Sequence, residues 1–151
     1  MVTKKCALIK ISGDVADREE LYKELSSIGK QNDLFVICGA GTAITAKLEE
    51  NKIPFKFEGS ERVIKSEKGK ELAYDVLEEK RAFVENKLLE QGVRATVCSP
   101  AIKFGRKTCH VNGDNFVRMT HRNFDKVFIF TLKGRNKSSL GDIENIEIVC
   151  L

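Results

Sequence analysis

The sequence has no apolar stretch longer than five to seven residues, far short of the roughly 20 that a membrane-spanning helix needs. No C-x-x-C pair occurs among the five widely spaced cysteines, Cys6, Cys38, Cys98, Cys109 and Cys150, so neither a disulfide framework nor a zinc ribbon is expected. Four of them lie in apolar, strand-like runs, where a free thiol is expected to act as a small buried hydrophobe. Cys109, His110 and His121 stand at no metal-ligand spacing, and no metal site is expected. The N-terminus lacks a signal-peptide cleavage pattern, internal repeats and low-complexity tracts are missing, and a cytoplasmic location is the simplest reading.

Two phosphate motifs are also missing. A P-loop requires G-x-x-x-x-G-K-[ST], whereas Gly105-Arg-Lys-Thr108 inserts an arginine and has Pro100 at the first glycine position. Gly39-x-Gly41 opens like a dinucleotide fingerprint, with Glu58 at a suitable distance for a ribose contact, but Ile44 occupies the third glycine position.

What is present is an alternation of strand-like and helix-like segments over 151 residues, enough for one domain spanning residues 1–151. Apolar runs at 5–11, 33–38, 93–98, 126–132 and 146–151 read as strands, and 54–57 as a short extended segment. Helices are expected after Asp17 and Glu20, which have capping-box spacing, with Gly29 as C-cap. Others are expected at about 42–51, at 67–90 with Gly92 as the stop, and at 113–123. A Gly-, Lys- and Arg-containing connection, with hairpin character, precedes Val111. Strands apolar throughout and separated by helices imply an α/β fold: a three-layer αβα sandwich around a mainly parallel sheet.

Charge is unevenly spread. Residues 1–100 hold 17 basic and 17 acidic side chains, whereas 101–137 hold nine basic and two acidic ones, a local excess that would attract anions. Three glycine-containing turns follow strands: Lys10-Ile-Ser-Gly13, Cys38-Gly-Ala-Gly-Thr42 and Val111-Asn-Gly-Asp-Asn115. If gathered at one sheet edge, Gly13, Gly39, Gly41 and Thr42 would offer backbone N–H groups to a phosphate or carboxylate. Lys10 interrupts an apolar strand, where its ammonium needs a negative partner or a route to water. Asp114 stands at a helix start, either as an N-cap or as an organiser of nearby cations.

These residues resemble the amino acid kinase superfamily, which includes acetylglutamate, uridylate and isopentenyl phosphate kinases. Lys10-Ile-Ser-Gly13 is similar to its K-x-[GS]-G opening and Cys38-Gly-Ala-Gly41 to its second glycine loop. Phe57-Glu-Gly-Ser-Glu-Arg-Val63 resembles its carboxylate-binding segment, Asn112-Gly-Asp-Asn-Phe-Val117 its G-D segment, and Lys126–Thr131 the strand leading to its nucleotide site. The resemblance implies a reduced amino-acid-kinase-like fold and phosphoryl transfer from ATP with Mg2+ to a carboxylate or phosphate acceptor. It further implies catalytic roles for Lys10 and Asp114, phosphate binding by Gly13, Gly39, Gly41 and Thr42, and substrate binding by Arg62. Thr131, Lys133, Arg135 and Lys137 would form the nucleotide side, and a homo-oligomer is compatible with the family. The chain departs from the family in length, in lacking the second catalytic lysine, and in reading Thr131-Leu-Lys-Gly-Arg135 where T-D-x-x-G is usual. Two other functions therefore stay open. One is a non-catalytic module for a nucleotide or small anionic metabolite. The other is nucleic-acid binding through the basic 101–137 segment, with Phe104, Phe116 and Phe124 as stacking surfaces.

Overall fold

The computed structural model describes residues 3–151. Its core is a five-stranded, wholly parallel sheet in the order β5-β2-β1-β8-β9. The strands are β1 (Lys5–Ile11), β2 (Asn32–Cys38), β5 (Ala95–Cys98), β8 (Lys126–Thr131) and β9 (Ile146–Cys150). Parallel pairing forces each return across the sheet through a crossover. The crossovers hold α1 (Glu19–Gly29), α2 (Gly41–Glu50), α3 (Glu67–Glu90) and α4 (Gly113–Thr120), plus two antiparallel hairpins. These are β3 (Phe55–Glu58) with β4 (Glu61–Ile64), and β6 (Ala101–Phe104) with β7 (Lys107–His110). The α/β class and the mainly parallel sheet agree with the sequence reading.

Alternation along β1 sets the two layers. Ala7, Ile9 and Ile11 pack with Leu21 and Leu25 of α1 and with Val84 and Leu88 of α3. On the other face, Leu8 packs with Val117 of α4 and with Leu140 and Ile143. Lys10, two residues beyond Leu8, shares that second face and lies under the start of α4. A third cluster joins Ile44 and Leu48 of α2 to Ile64 of β4 and to Ala73, Val76 and Leu77 of α3.

Several local expectations change. Asp17 does not cap α1: Arg18 holds that position and no side chain accepts from the helix. Gly29 is the last helical residue rather than a left-handed cap, whereas Gly92, with φ +68°, terminates α3 as expected. On α3 the buried face is formed by Gly69, Ala73, Val76, Leu77, Val84 and Leu88, while Phe83 is exposed. Of the cysteines only Cys38 is buried, while Cys6, Cys109 and Cys150 are exposed, because they sit on strand ends, a hairpin and the edge strand β9. No helix among the described residues is long and apolar enough to cross a membrane.

Candidate functional site

The chain runs outward from β1 to β2 and β5, then returns to the opposite side of β1 for β8 and β9. This reversal leaves a crevice beyond the carboxyl ends of β1 and β8, where parallel sheets usually receive ligands. A cleft of about 640 Å³ opens there, and Lys10, Gly13, Gly39, Gly41, Thr42, Arg62, Asp114, Thr131, Arg135 and Lys137 all line it. Lys133 is not among its lining residues and is exposed, so the expected contribution of that lysine to the same site is corrected. Its place two residues beyond β8, in a turn through Gly134 at φ +86°, carries it past the rim.

At the centre, one carboxylate serves two ammonium groups. Lys10 Nζ lies 3.3 Å from Asp114 Oδ1, and Lys137 Nζ lies 2.8 Å from Asp114 Oδ2. Lys10 also donates to Ser12 Oγ at 3.2 Å, which donates to Thr131 Oγ1 at 3.3 Å, tying the ends of β1 and β8 together. Lys10 is 6% exposed. Burial lowers its pKa; the attraction of Asp114 opposes this, and the like charge of Lys137 adds to it. Burial alone would raise the Asp114 carboxyl, but Lys10 and Lys137 together overcome it and hold the group below its usual value. Asp114 Oδ1 is buried and lacks an aligned hydrogen bond despite its proximity to Lys10.

Asp114 is free for this role because another residue caps α4. Asn112 Oδ1 accepts from the N–H groups of Asp114 and Asn115 at 2.9 and 3.2 Å. Gly113 then lets α4 press onto the lysine, since a Cβ there would stand 2.9 Å from Lys10 Cε. Gly13 serves the backbone: a Cβ on it would lie 2.6 Å from the Gly39 carbonyl oxygen and 2.9 Å from Ala40 Cα.

The Gly39 amide is spent on the Ile11 carbonyl at 2.8 Å, so its expected phosphate bond is corrected; that N–H belongs to the sheet. One residue on, α2 begins at Gly41 with Ala40 as an N-cap that has no side-chain acceptor to offer. The first intrahelical bond is Ile44 N–H to Ala40 C=O, which leaves the amides of Gly41, Thr42 and Ala43 outside the helical ladder and the positive end of α2 facing the cleft.

Arg62 forms the opposite wall from β4. Its Nη2 donates to the Gly41 carbonyl and to Thr45 Oγ1, both at 2.8 Å, and its guanidinium lies 5.7 Å from the ring centroid of Phe55 and 5.1 Å from that of Phe57. Nη2 is thereby occupied by the protein, while Nε is buried without a partner. Arg135 pairs with Asp14 at 2.8 Å on the outer rim. Among the lining residues are four basic side chains (Lys10, Arg62, Arg135, Lys137) and three carboxylates (Asp14, Glu61, Asp114), so basic groups are in excess. Ser12, Asn112 and His110 were not singled out for this site in sequence. A serine at a strand end and an asparagine before Gly-Asp are signals that could have found the first two.

Five of the nine cations of the basic segment are paired with carboxylates. Lys103 pairs with Glu71, Lys107 with Glu67, Arg118 with Asp142, Arg135 with Asp14 and Lys137 with Asp114. Phe116 and Phe124 pack against the core, leaving Phe104 exposed on the β6–β7 hairpin.

No protein-family model matches the chain, and neither does any curated protein. Among solved structures, smu.665 from Streptococcus mutans UA159 is similar with a TM-score of 0.71 at 16% identity, covering 85% of this chain and 73% of that one. N-acetylglutamate synthase from Neisseria gonorrhoeae complexed with coenzyme A and L-arginine matches with a TM-score of 0.66 at 13% identity, covering 88% of this chain. The same enzyme with coenzyme A and N-acetyl-glutamate matches with a TM-score of 0.65 at 13% identity over 85% of this chain. This chain spans 45% and 42% of those two synthase chains, and the likeness is one of fold.

These findings correct the assignment to the amino acid kinase family. The matched structures are smu.665 and an N-acetylglutamate synthase, and the synthase complexes hold coenzyme A rather than ATP with Mg2+. Asp114 is already committed to two lysines, and among the described residues no group of three or more His, Cys, Asp or Glu side chains is placed to hold a metal. The fold is shared with a synthase whose complexes hold small metabolites.

Proposed function

We propose that this chain binds a small anionic metabolite, carrying a carboxylate or phosphate, in the cleft beyond β1 and β8. The observation that carries the reading is the sharing of Asp114 by Lys10 and Lys137, which leaves one ammonium charge uncompensated inside a half-closed cleft. A buried charge without a full counter-charge is costly, and an entering anion would supply the missing one. The uncapped start of α2 adds N–H donors and a positive helix end to the same space. In this scheme Gly13 holds the two glycine loops together, Gly41 and Thr42 donate amides, and Lys10 and Lys137 neutralise the ligand. Asp114 orients both lysines, and Arg62 meets a second acidic group through its Nε. Thr131 and Ser12 hold Lys10 in place.

The synthase complexes carry L-arginine, N-acetyl-glutamate and coenzyme A, which makes amino-acid-derived carboxylates and phosphate-bearing acyl carriers the first compounds to try. The test is isothermal titration of the protein with phosphate, pyrophosphate, glutarate, N-acetyl-L-glutamate and coenzyme A at two salt concentrations. Binding that weakens with salt is expected, because the recognition is partly ionic. A ligand present at 100 times its Kd would stabilise the fold by about 2.7 kcal/mol. Failure of every anion to bind would overturn the reading.

A further inference from the structure

His110, at the end of β7, lines the same cleft as Arg62. Its Nε2 is buried without a hydrogen-bond partner, as is Arg62 Nε. The two residues are held together by the loops around them. Asn112 donates to the Ser60 carbonyl at 3.0 Å and Asn115 to Glu61 Oε1 at 2.9 Å, fastening the tip of the β3–β4 hairpin to the segment that follows β7. Burial, the positive charge of Arg62 on β4 and that of Lys70 on α3 favour the neutral ring, opposed by a hydrogen bond with the Arg62 backbone. A neutral imidazole carries one N–H and one lone pair, and Nε2, which has no partner in the protein, is the nitrogen left to present the lone pair to a ligand.

The wall thus presents a donor, Arg62 Nε–H, and an acceptor, His110 Nε2, that do not satisfy each other. Buried polar atoms left this way are costly, and a complementary ligand would supply an acceptor and a donor side by side. We infer that His110 is a specificity-determining residue, accepting a hydrogen bond from an N–H or O–H carried next to the ligand's carboxylate. 2-Hydroxy acids and N-acylated amino acids are then preferred to plain dicarboxylates. This rests on the anion-binding reading of the cleft.

The experiment compares glutarate with 2-hydroxyglutarate, which differs by one hydroxyl, and with N-acetyl-L-glutamate. The parent protein should bind the two donor-bearing compounds about 3- to 10-fold more tightly, the worth of one neutral hydrogen bond. His110→Leu should remove that preference, read as the ratio of the two affinities within the variant, and His110→Gln, which keeps an acceptor, should restore part of it. In the parent protein, which has two histidines, the 15N signal of His110 Nε2 should move with 2-hydroxyglutarate and not with glutarate. Equal affinities in the parent, or a preference that survives His110→Leu, would overturn the role of His110 alone. No binding of any of the three would overturn the cleft reading together with it.

Discussion

Replacing Lys10 and replacing Asp114 should have very unequal consequences, although the two form one ion pair. At 3.3 Å and an effective dielectric of about 20, their attraction is roughly 5 kcal/mol. Against it stand a desolvation cost of several kcal/mol for a buried ammonium and the repulsion of Lys137. The lowered pKa of Lys10 means that the costs exceed the gain. Lys10→Met keeps the stem's packing and leaves Asp114 paired with Lys137, so stability should stay within about 1 kcal/mol of the parent or rise. Asp114→Ala instead leaves two ammonium groups facing each other without a carboxylate, which should cost about 3–5 kcal/mol. For a chain of this length that lowers Tm by roughly 6–20 °C. Phosphate should recover part of the Asp114→Ala loss and none of any loss in Lys10→Met. The assay is thermal unfolding by circular dichroism at pH 7 and low salt, with and without phosphate. Equal destabilisation by both substitutions would refute the reasoning, because Lys10 would then be a structural half of an ordinary ion pair.

Three further outcomes are expected. Gly13→Ala should destabilise by about 1–3 kcal/mol, since its Cβ meets backbone that cannot yield, whereas Gly39→Ala, whose nearest atom is 3.7 Å away, should be tolerated; urea unfolding compares them. Acid should weaken the fold through Asp114. Its folded pKa is depressed, so its contribution is present above the ordinary carboxylate pKa and is lost as pH falls through the lower folded value; Asp114→Asn should flatten that part of the pH–stability curve. A thiol reagent should modify Cys6, Cys109 and Cys150 in the native protein, while Cys38, buried and with its thiol pushed up to about 12 by burial, should react only on unfolding.

The main strands were legible because β1, β2 and β8 are short apolar runs bounded by turn residues, and a parallel sheet buries such runs on both faces. Strand β4 was not, since Glu61-Arg62-Val63-Ile64 is half charged and gains its strand character only from pairing with β3. Cysteine burial was misjudged because apolar neighbours do not reveal where a strand ends or whether it lies at the sheet edge, as Cys150 does on β9. Lys10 stood out as a charge in an apolar strand, and the pairing of its partner Asp114 with a second lysine depends on a loop 23 residues further along the chain. His110 drew attention only as a metal ligand that lacked companions. Its relation to Arg62, 48 residues earlier in the chain, comes from the meeting of two hairpins, and local pattern does not reach that far.

The central claim is most directly tested by an amide NMR titration of the parent protein with pyrophosphate and with N-acetyl-L-glutamate. The account predicts saturable shifts at Gly13, Gly41, Thr42 and Gly113, with Lys10→Met abolishing them. Shifts confined to the β6–β7 hairpin, or none at these four amides at millimolar ligand, would contradict it.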